Sequence, residues 1–432
     1  MTGMEPPVAP EHRAHSAALS ARAGQVIPGG MWGHQHNRFL TTDHPMFIES
    51  SSGPYFTDVD GRRFIDLMCA WGPMLLGYGN PAVAEAAARQ AAIGDTQNGA
   101  SPRAVELAEL LVDTIDHADW AILAKNGTDA TTACVTIARA ATGRDVVLLA
   151  RGSYHGAAPW CTPEPAGVLT SDRASLDYFE YNDSASLTAA VERAGDRLAG
   201  IVITPFKHIE GLDNQDVRPE FARLVRSSCD AAGAVLILDD VRCGFRLNIG
   251  GSWEPLGVQP DLSAWSKAIA NGHAIAAVVG IDSLRDAASR VFLTGSFWTG
   301  AVSMAAAIAT IETLRTTTAF MDMVSAGERF RTGVTAQISG LQNGTAHYSG
   351  PVTMPYVTFA GDVGHELAAD FSRICLREGL FLHPRHNWFL SAAHDDDVID
   401  RALAATAIAF SEIDTRLEHF ATHTTIGQES RS

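Results

Sequence analysis

Two adjacent carboxylates close an apolar run, and a lysine follows in an apolar setting. The run is Ala234 to Leu238, the acids are Asp239 and Asp240, and the lysine stands in Ser266-Lys267-Ala268. A short uninterrupted run of this kind suits a strand buried on both faces, as in a parallel sheet covered by helices. Ligands of such sheets bind beyond the carboxyl ends of the strands, so Asp239 and Asp240 mark where a site would lie. Lys267 sits among Ala264, Trp265, Ala268 and Ile269. Desolvation there depresses a lysine pKa and leaves a free amine able to attack a carbonyl. An ordinary surface lysine is the competing reading. The chain has only three lysines, Lys125, Lys207 and Lys267, so a Schiff base has few possible sites, and the acid at an upstream strand end favours Lys267.

Two more junctions could carry chemistry. Asn126-Gly127-Thr128-Asp129 follows a strand-like run and opens a helix-like one. Glycine lets backbone approach an anion and the helix N-terminus presents free N–H groups, so this is either a phosphate cradle or an ordinary N-cap. Ser153-Tyr154-His155-Gly156 follows the run Val146–Ala150. Its tyrosine can stack on a planar ligand or simply cover a sheet edge.

The elements that must position these groups alternate. Helical spacing over 104–115, 129–141, 186–194 and 220–231 is interleaved with strand-like runs at 120–124, 146–150, 198–203 and 234–238. That rhythm predicts an α/β fold with a mainly parallel sheet flanked by helices. An Asp60-Gly61 turn between alternating runs predicts an N-terminal hairpin. From about residue 318 the pattern becomes a small α+β unit, with strands expected near 354–359 and 379–383. The expected division is an N-terminal arm and hairpin over 1–60, a large domain over 61–317 and a small domain over 318–432.

Composition bounds the rest. A formal net charge of −17 argues against a nucleic-acid surface. No apolar run approaches a membrane span, and no basic–apolar–small leader is read, so the expectation is a cytoplasmic protein. Six scattered cysteines with no CxxC predict reduced thiols and no metal.

The order LILDDV-x-x-GFR, GVQPDL, SKAIANG resembles the signature of class III aminotransferases, pyridoxal-phosphate (PLP) enzymes of fold type I. The resemblance extends over residues 25–415. In AWGPMLLGYGNP (70–81) and LHPRHNWFLSAAH (382–394) it is similar to the glutamate-1-semialdehyde aminomutase branch. It implies that Lys267 binds PLP as a Schiff base, that Asp239 pairs with the pyridine nitrogen, and that Tyr154 and Val241 face the ring, with His155 beside Tyr154. It implies a phosphate site at Gly127 and Thr128, with Asn126 where the family has Ser. Ser296, with Thr299 next in line, would reach the phosphate from a neighbouring subunit, which implies a homodimer with its sites at the interface.

The activity implied is transfer of an amino group between an amine or amino acid and a keto or aldehyde acceptor. The alternative is an aminomutase or epimerase on the same cofactor. For the substrate side the resemblance points to Trp71, His36, Arg38, His208 and Arg385. There the chain departs from the aminomutases: Thr204 replaces a Glu, His36 stands in an arginine column, and Arg385, His386 and Asn387 replace a segment with a glutamate. Arg242, directly after Val241, is also unusual.

Overall fold

Seven strands, most of them continuously apolar, build the central sheet. In the computed structural model, which describes residues 14–36 and 43–429 (side chains to 415), an N-terminal hairpin contains β1 (Ile48–Ser52), β2 (Tyr55–Asp58) and β3 (Arg63–Asp66). The central sheet comprises β4 (Trp120–Ala124), β5 (Val146–Ala150), β6 (Leu176–Phe179), β7 (Leu198–Ile203), β10 (Val235–Asp239), β11 (Leu262–Trp265) and β12 (Ala276–Gly280). Between β7 and β10 lies a two-stranded ribbon, β8 (Phe206–Lys207) and β9 (Gln215–Asp216). The sheet order is β4-β12-β11-β10-β7-β5-β6. Only β12 runs antiparallel to its neighbours.

Strand alternation sorts the core into two layers. On β10, Val235 and Ile237 join the cluster that contains Ala130, Ala133, Cys134 and Ile137 of the helix Gly127–Thr142. Leu236 and Leu238 pack on the other face with Phe221 and Val225 of the helix Pro219–Ala232. Both faces of β10 are therefore dry, which explains its unbroken apolar sequence. Each fully buried aliphatic side chain contributes roughly 1.5–3 kcal/mol. The same period of two carries Asp239 to the face of the first helix and Asp240 to the opposite face.

The last part of the chain returns to the first. A pair, β13 (Ala346–Ser349) and β14 (Tyr356–Phe359), precedes the helix Glu366–Arg377 and then β15 (Leu380–Phe381). Strand β15 pairs in parallel with β3, giving a four-stranded sheet β1-β2-β3-β15. The turn after β3 is unusual: Cys69, Ala70, Trp71 and Gly72 have φ of 47°, 52°, 67° and 104°. A left-handed run of L-residues costs roughly 1–2 kcal/mol each, so packing must hold it. Arg246, buried, donates from Nη2 to Gly72 O at 2.6 Å and from Nη1 to Leu390 O at 2.5 Å. The ring of Phe389 closes on Gly72, where a Cβ would lie 3.0 Å from it.

Candidate active site

Six strands run one way and end at one edge of the sheet, and β12, running the other way, begins there. Around those ends lies a cavity of about 370 Å³ lined by Lys125–Thr128 after β4, Ser153–Gly156 after β5, Thr204, Phe206 and His208 after β7, Asp239 and Val241–Cys243 at β10, Ser266 and Lys267 after β11, and Gly272–Ile275 before β12. The expectation of a site beyond the carboxyl ends follows the topology.

Asp239 is 4% exposed and its Oδ2 lies 2.7 Å from His155 Nδ1. Its Oδ1 accepts from Val241 N at 3.2 Å. The His155 main chain is fixed in turn, because Thr131 Oγ1 donates to its carbonyl at 2.7 Å. Next to it, Thr128 Oγ1 accepts from Ala157 N at 3.1 Å. A Cβ on Gly156 would lie 2.5 Å from that hydroxyl, so this position needs glycine, as its φ of 125° also requires.

The two readings of Asn126-Gly127-Thr128-Asp129 coexist. Asn126 caps the helix Gly127–Thr142 through a capping box with Asp129, which engages its side chain. The N–H groups of Gly127 and Thr128 have no intrahelical acceptor, and both residues line the cavity. A Cβ on Gly127 would lie 2.6 Å from Val241 Cγ1. Glycine therefore lets the branched side chain of Val241 lean across the helix start.

Lys267 begins a short 3-10 turn, Lys267–Ala270, with φ of 48°. Ala268, Ile269 and Ala270 are buried and anchor it. Asn271 ties this turn to the Trp71 segment by accepting from Leu76 N at 2.7 Å and donating to Gly77 O at 2.9 Å. Burial, reinforced by Arg242, lowers the Lys267 pKa to about 8, against the opposing pull of Asp239. Of the other two lysines, Lys207 is 7% exposed, and Lys125, half-buried, lines the cavity and donates to Ser303 Oγ at 3.3 Å.

Beside the cavity lies an aromatic, imidazole-rich cluster that meets it at His208. Trp71, which like His34, His383 and His386 is not a lining residue, stacks on His34 (4.8 Å between ring centres) and packs against His386 (5.1 Å) and His383 (5.2 Å). His208 meets His386 at 4.8 Å and its Nδ1 lies 2.8 Å from Asn214 Oδ1. Burial, helped by neighbouring cations, pushes His208 and His383 down to about 3 and His386 well down. These imidazoles are neutral hydrogen-bonding rings at neutral pH. Among the described residues no group of three or more His, Cys, Asp or Glu is arranged to hold a metal ion.

The cavity brings together Asn126, Gly127, Thr128, Tyr154, His155, Asp239, Val241, Lys267 and His208. Other anticipated residues stand elsewhere. His36 packs against Gly29, where a Cβ would be 2.5 Å from Nε2, and His34 takes the place near Trp71 and Tyr154 instead. Arg385 does not line the cavity; its Nη1 donates to Glu210 Oε1 at 3.2 Å in a half-exposed pair. Ser296 and Thr299 lie in the turn before the helix Ala301–Thr316 and do not reach the cavity of their own chain. Arg38 lies outside the described residues. Residues not anticipated are His34, Lys125, Ser153, Phe206 and His273. Lys125 had a readable signal, since it is one of three lysines and directly precedes Asn126-Gly127-Thr128.

PLP fits this donor set. The buried hydroxyls Ser153 Oγ and Thr204 Oγ1 and the imidazole Nε2 of His155 have no hydrogen-bond partner among the described residues. A helix N-terminus suits its phosphate, and an amine, an acid, a phenol ring and a branched aliphatic chain suit its aldehyde, ring nitrogen and two ring faces. Sheet and site together define a PLP-dependent enzyme of fold type I. The chain belongs to the class III aminotransferases, whose family model matches residues 40–387.

It is 44% identical over 397 residues to the aminopentol aminotransferase of Sphingopyxis macrogoltabida, covering 91% of this chain and 93% of that one. It is 33% identical over 413 residues to the 3-aminobutyryl-CoA aminotransferase of Cloacimonas acidaminovorans, covering 93% and 97%. The solved structure of the PLP internal aldimine form of the Sphingopyxis sp. MTA144 FumI protein superposes with a TM-score of 0.90 at 44% identity, covering 92% of this chain and 96% of that one.

Proposed function

We propose that Lys267 is the amine that carries the cofactor and moves the proton in this aminotransferase, and that Asp239 is the acid facing the ring nitrogen. The observation that carries this is their convergence: Asp239 and Lys267 come from the ends of adjacent paired strands into one cavity. When bound, PLP supplies an exchangeable aldehyde and a sink for the electrons left when a substrate carbon loses its proton. Lys267 Nζ, lowered toward about 8, is free enough to take that proton and return it to the neighbouring carbon. Asp239 Oδ2, oriented by His155, holds positive charge on the nitrogen opposite it. Gly127 and Thr128 N–H groups would hold the phosphate, and Tyr154 and Val241 would flank the ring.

The donor we infer is an amine with an uncharged, apolar or hydroxylated substituent. The neutral wall of Trp71, His34, His208 and His386 supports this. So does the substrate in the name of one relative, aminopentol. A homodimer is inferred from the turn that holds Ser296: Phe292 and Phe297 beside it are 89% and 66% exposed, and apolar rings of this kind support a covering partner. Ser296 and Thr299 of one copy would then complete the phosphate site of the other. Six free cysteines support a reducing, cytoplasmic setting, and among the described residues no helix is long and apolar enough to cross a membrane.

Borohydride reduction followed by peptide mapping tests the central assignment, with the label expected on Lys267 and a label on Lys125 or Lys207 overturning it. A donor screen read by loss of the yellow absorbance tests the amine class. Sedimentation tests the dimer, which requires twice the mass of one chain.

A further inference from the structure

Arg242 is a cavity guanidinium without a carboxylate. It lines the same cavity as Lys267, where the only acid among the lining residues is Asp239, and Asp239 is already held by His155 and the Val241 N–H. Arg242 Nη1 donates to the neutral Oδ1 of Asn387 at 2.8 Å, and among the described residues it forms no ion pair with an acid. A guanidinium has five N–H donors, and Arg242, half-buried at the cavity, has few of them engaged. The contrast with Arg246 is direct, since Arg246 is satisfied by the carbonyls of Gly72 and Leu390 away from the cavity. The field of Arg242 also reaches Lys267, His34, His208 and His386, and in each case favours the neutral form. The imidazoles around it are therefore biased toward the neutral form, so beside them the positive charge is that of Arg242.

The register fixes how near that charge is to the chemistry. Asp239 pairs with Ala264 across β10 and β11, and Arg242 and Lys267 each stand three residues beyond that pair. Arg242 and Lys267 thus follow neighbouring strand ends into one cavity, near enough for the Arg242 charge to act on the Lys267 amine. A carboxylate seated on Arg242 would share that cavity with the carbon that reacts at Lys267.

We propose that Arg242 is the receptor for the carboxylate of a short oxo acid, the carbonyl substrate that accepts the amino group. Bidentate pairing would replace one hydrogen bond to a neutral acceptor with two to an anion. Asn387, itself fixed by donating to Trp388 O at 2.9 Å, holds the guanidinium in place when the bound substrate is uncharged. This reading rests on the assignment of Lys267 as the reacting amine.

The test uses the holoenzyme first converted by an amine donor to its pyridoxamine form, then returned to the yellow form by either pyruvate or butanal. The wild type is expected to prefer pyruvate. In Arg242→Gln the ratio of kcat/KM for pyruvate to that for butanal should fall roughly 30-fold, as expected for loss of a charge-assisted hydrogen bond. Arg242→Lys should restore part of that ratio. Propionate, which has the carboxylate but no carbonyl, should inhibit the butanal reaction of the wild type and not that of Arg242→Gln. The wild type using butanal as well as pyruvate, or the substitution lowering both acceptors equally with propionate inhibition unchanged, would overturn the proposal. Failure of the Lys267 assignment reads differently, as a borohydride label elsewhere, whereas failure here leaves that label in place and removes only the acid preference.

Discussion

His155 Nδ1 and Asp239 Oδ2 lie 2.7 Å apart with both side chains buried, one from the loop after β5 and one from the tip of β10. Asp239 is an acceptor, so the imidazole proton belongs on Nδ1, and the pair locks both the tautomer and the carboxylate direction. His155→Ala leaves a buried carboxylate short of a donor. The expected loss is roughly 10–100-fold in kcat/KM, with weaker cofactor retention, measured by steady-state kinetics and by titration of cofactor into the stripped enzyme.

Lys267 governs a pH dependence whose sign is fixed by its free-amine form. With its pKa lowered to about 8, the protonated form dominates below that value and the nucleophile above it. Capture of added PLP by the stripped protein should speed up as pH rises through about 8 and level off beyond. Stopped-flow absorbance gives the profile, and a midpoint near an ordinary lysine value would contradict the burial argument. Lys267→Ala should lower transamination by a factor on the order of 10³–10⁴.

Gly127 and Val241 share one space, since a Cβ at Gly127 would lie 2.6 Å from Val241 Cγ1. Gly127→Ala should therefore weaken PLP binding by more than about tenfold. Val241→Ala in the same chain should return part of that loss by vacating the contact. A double-mutant cycle on the cofactor dissociation constant measures the coupling.

Arg385 spends its charge on Glu210 at the surface. Exposed pairs of this kind contribute about 0–1 kcal/mol. Arg385→Ala should thus change kcat/KM for any acceptor by less than about fivefold, in contrast to substitution of Arg242.

Asp240 faces away from the cavity and is buried, with Ser252 N donating to its Oδ2 at 3.2 Å and Ser252 Oγ to its Oδ1. Burial raises its pKa to about 7. The folded chain holds a proton there that the unfolded chain releases near its ordinary value of about 4. Its contribution to stability is therefore full at low pH, falls as pH rises from about 4 through 7, and is flat above. Urea unfolding at several pH values should show that slope, and Asp240→Asn should remove it.

The sheet was legible because β5, β7 and β10 are buried on both faces and so have no polar interruption. Gly127, Thr128, Asp239 and Lys267 were legible because strand ends are where polar residues break such runs. The strand β12 was harder to read. It is an apolar stretch that reverses direction, and periodicity does not encode direction. The substrate wall was harder still. His34 and His36 are two residues apart in a loop, and only tertiary packing puts one against Trp71 and the other against Gly29. Arg385 and Arg242 look equally available in the sequence, and their partners, Glu210 and Asn387, come from segments 175 and 145 residues distant.

Two of the chain's three ε-amines, Lys125 and Lys267, stand at the cavity, and the third, Lys207, is buried in β8. Away from that cavity the outer surface therefore displays its side-chain positive charge through guanidinium groups. A lysine-directed reagent would report chiefly on the reaction chamber, and its uptake would follow whether that chamber is filled.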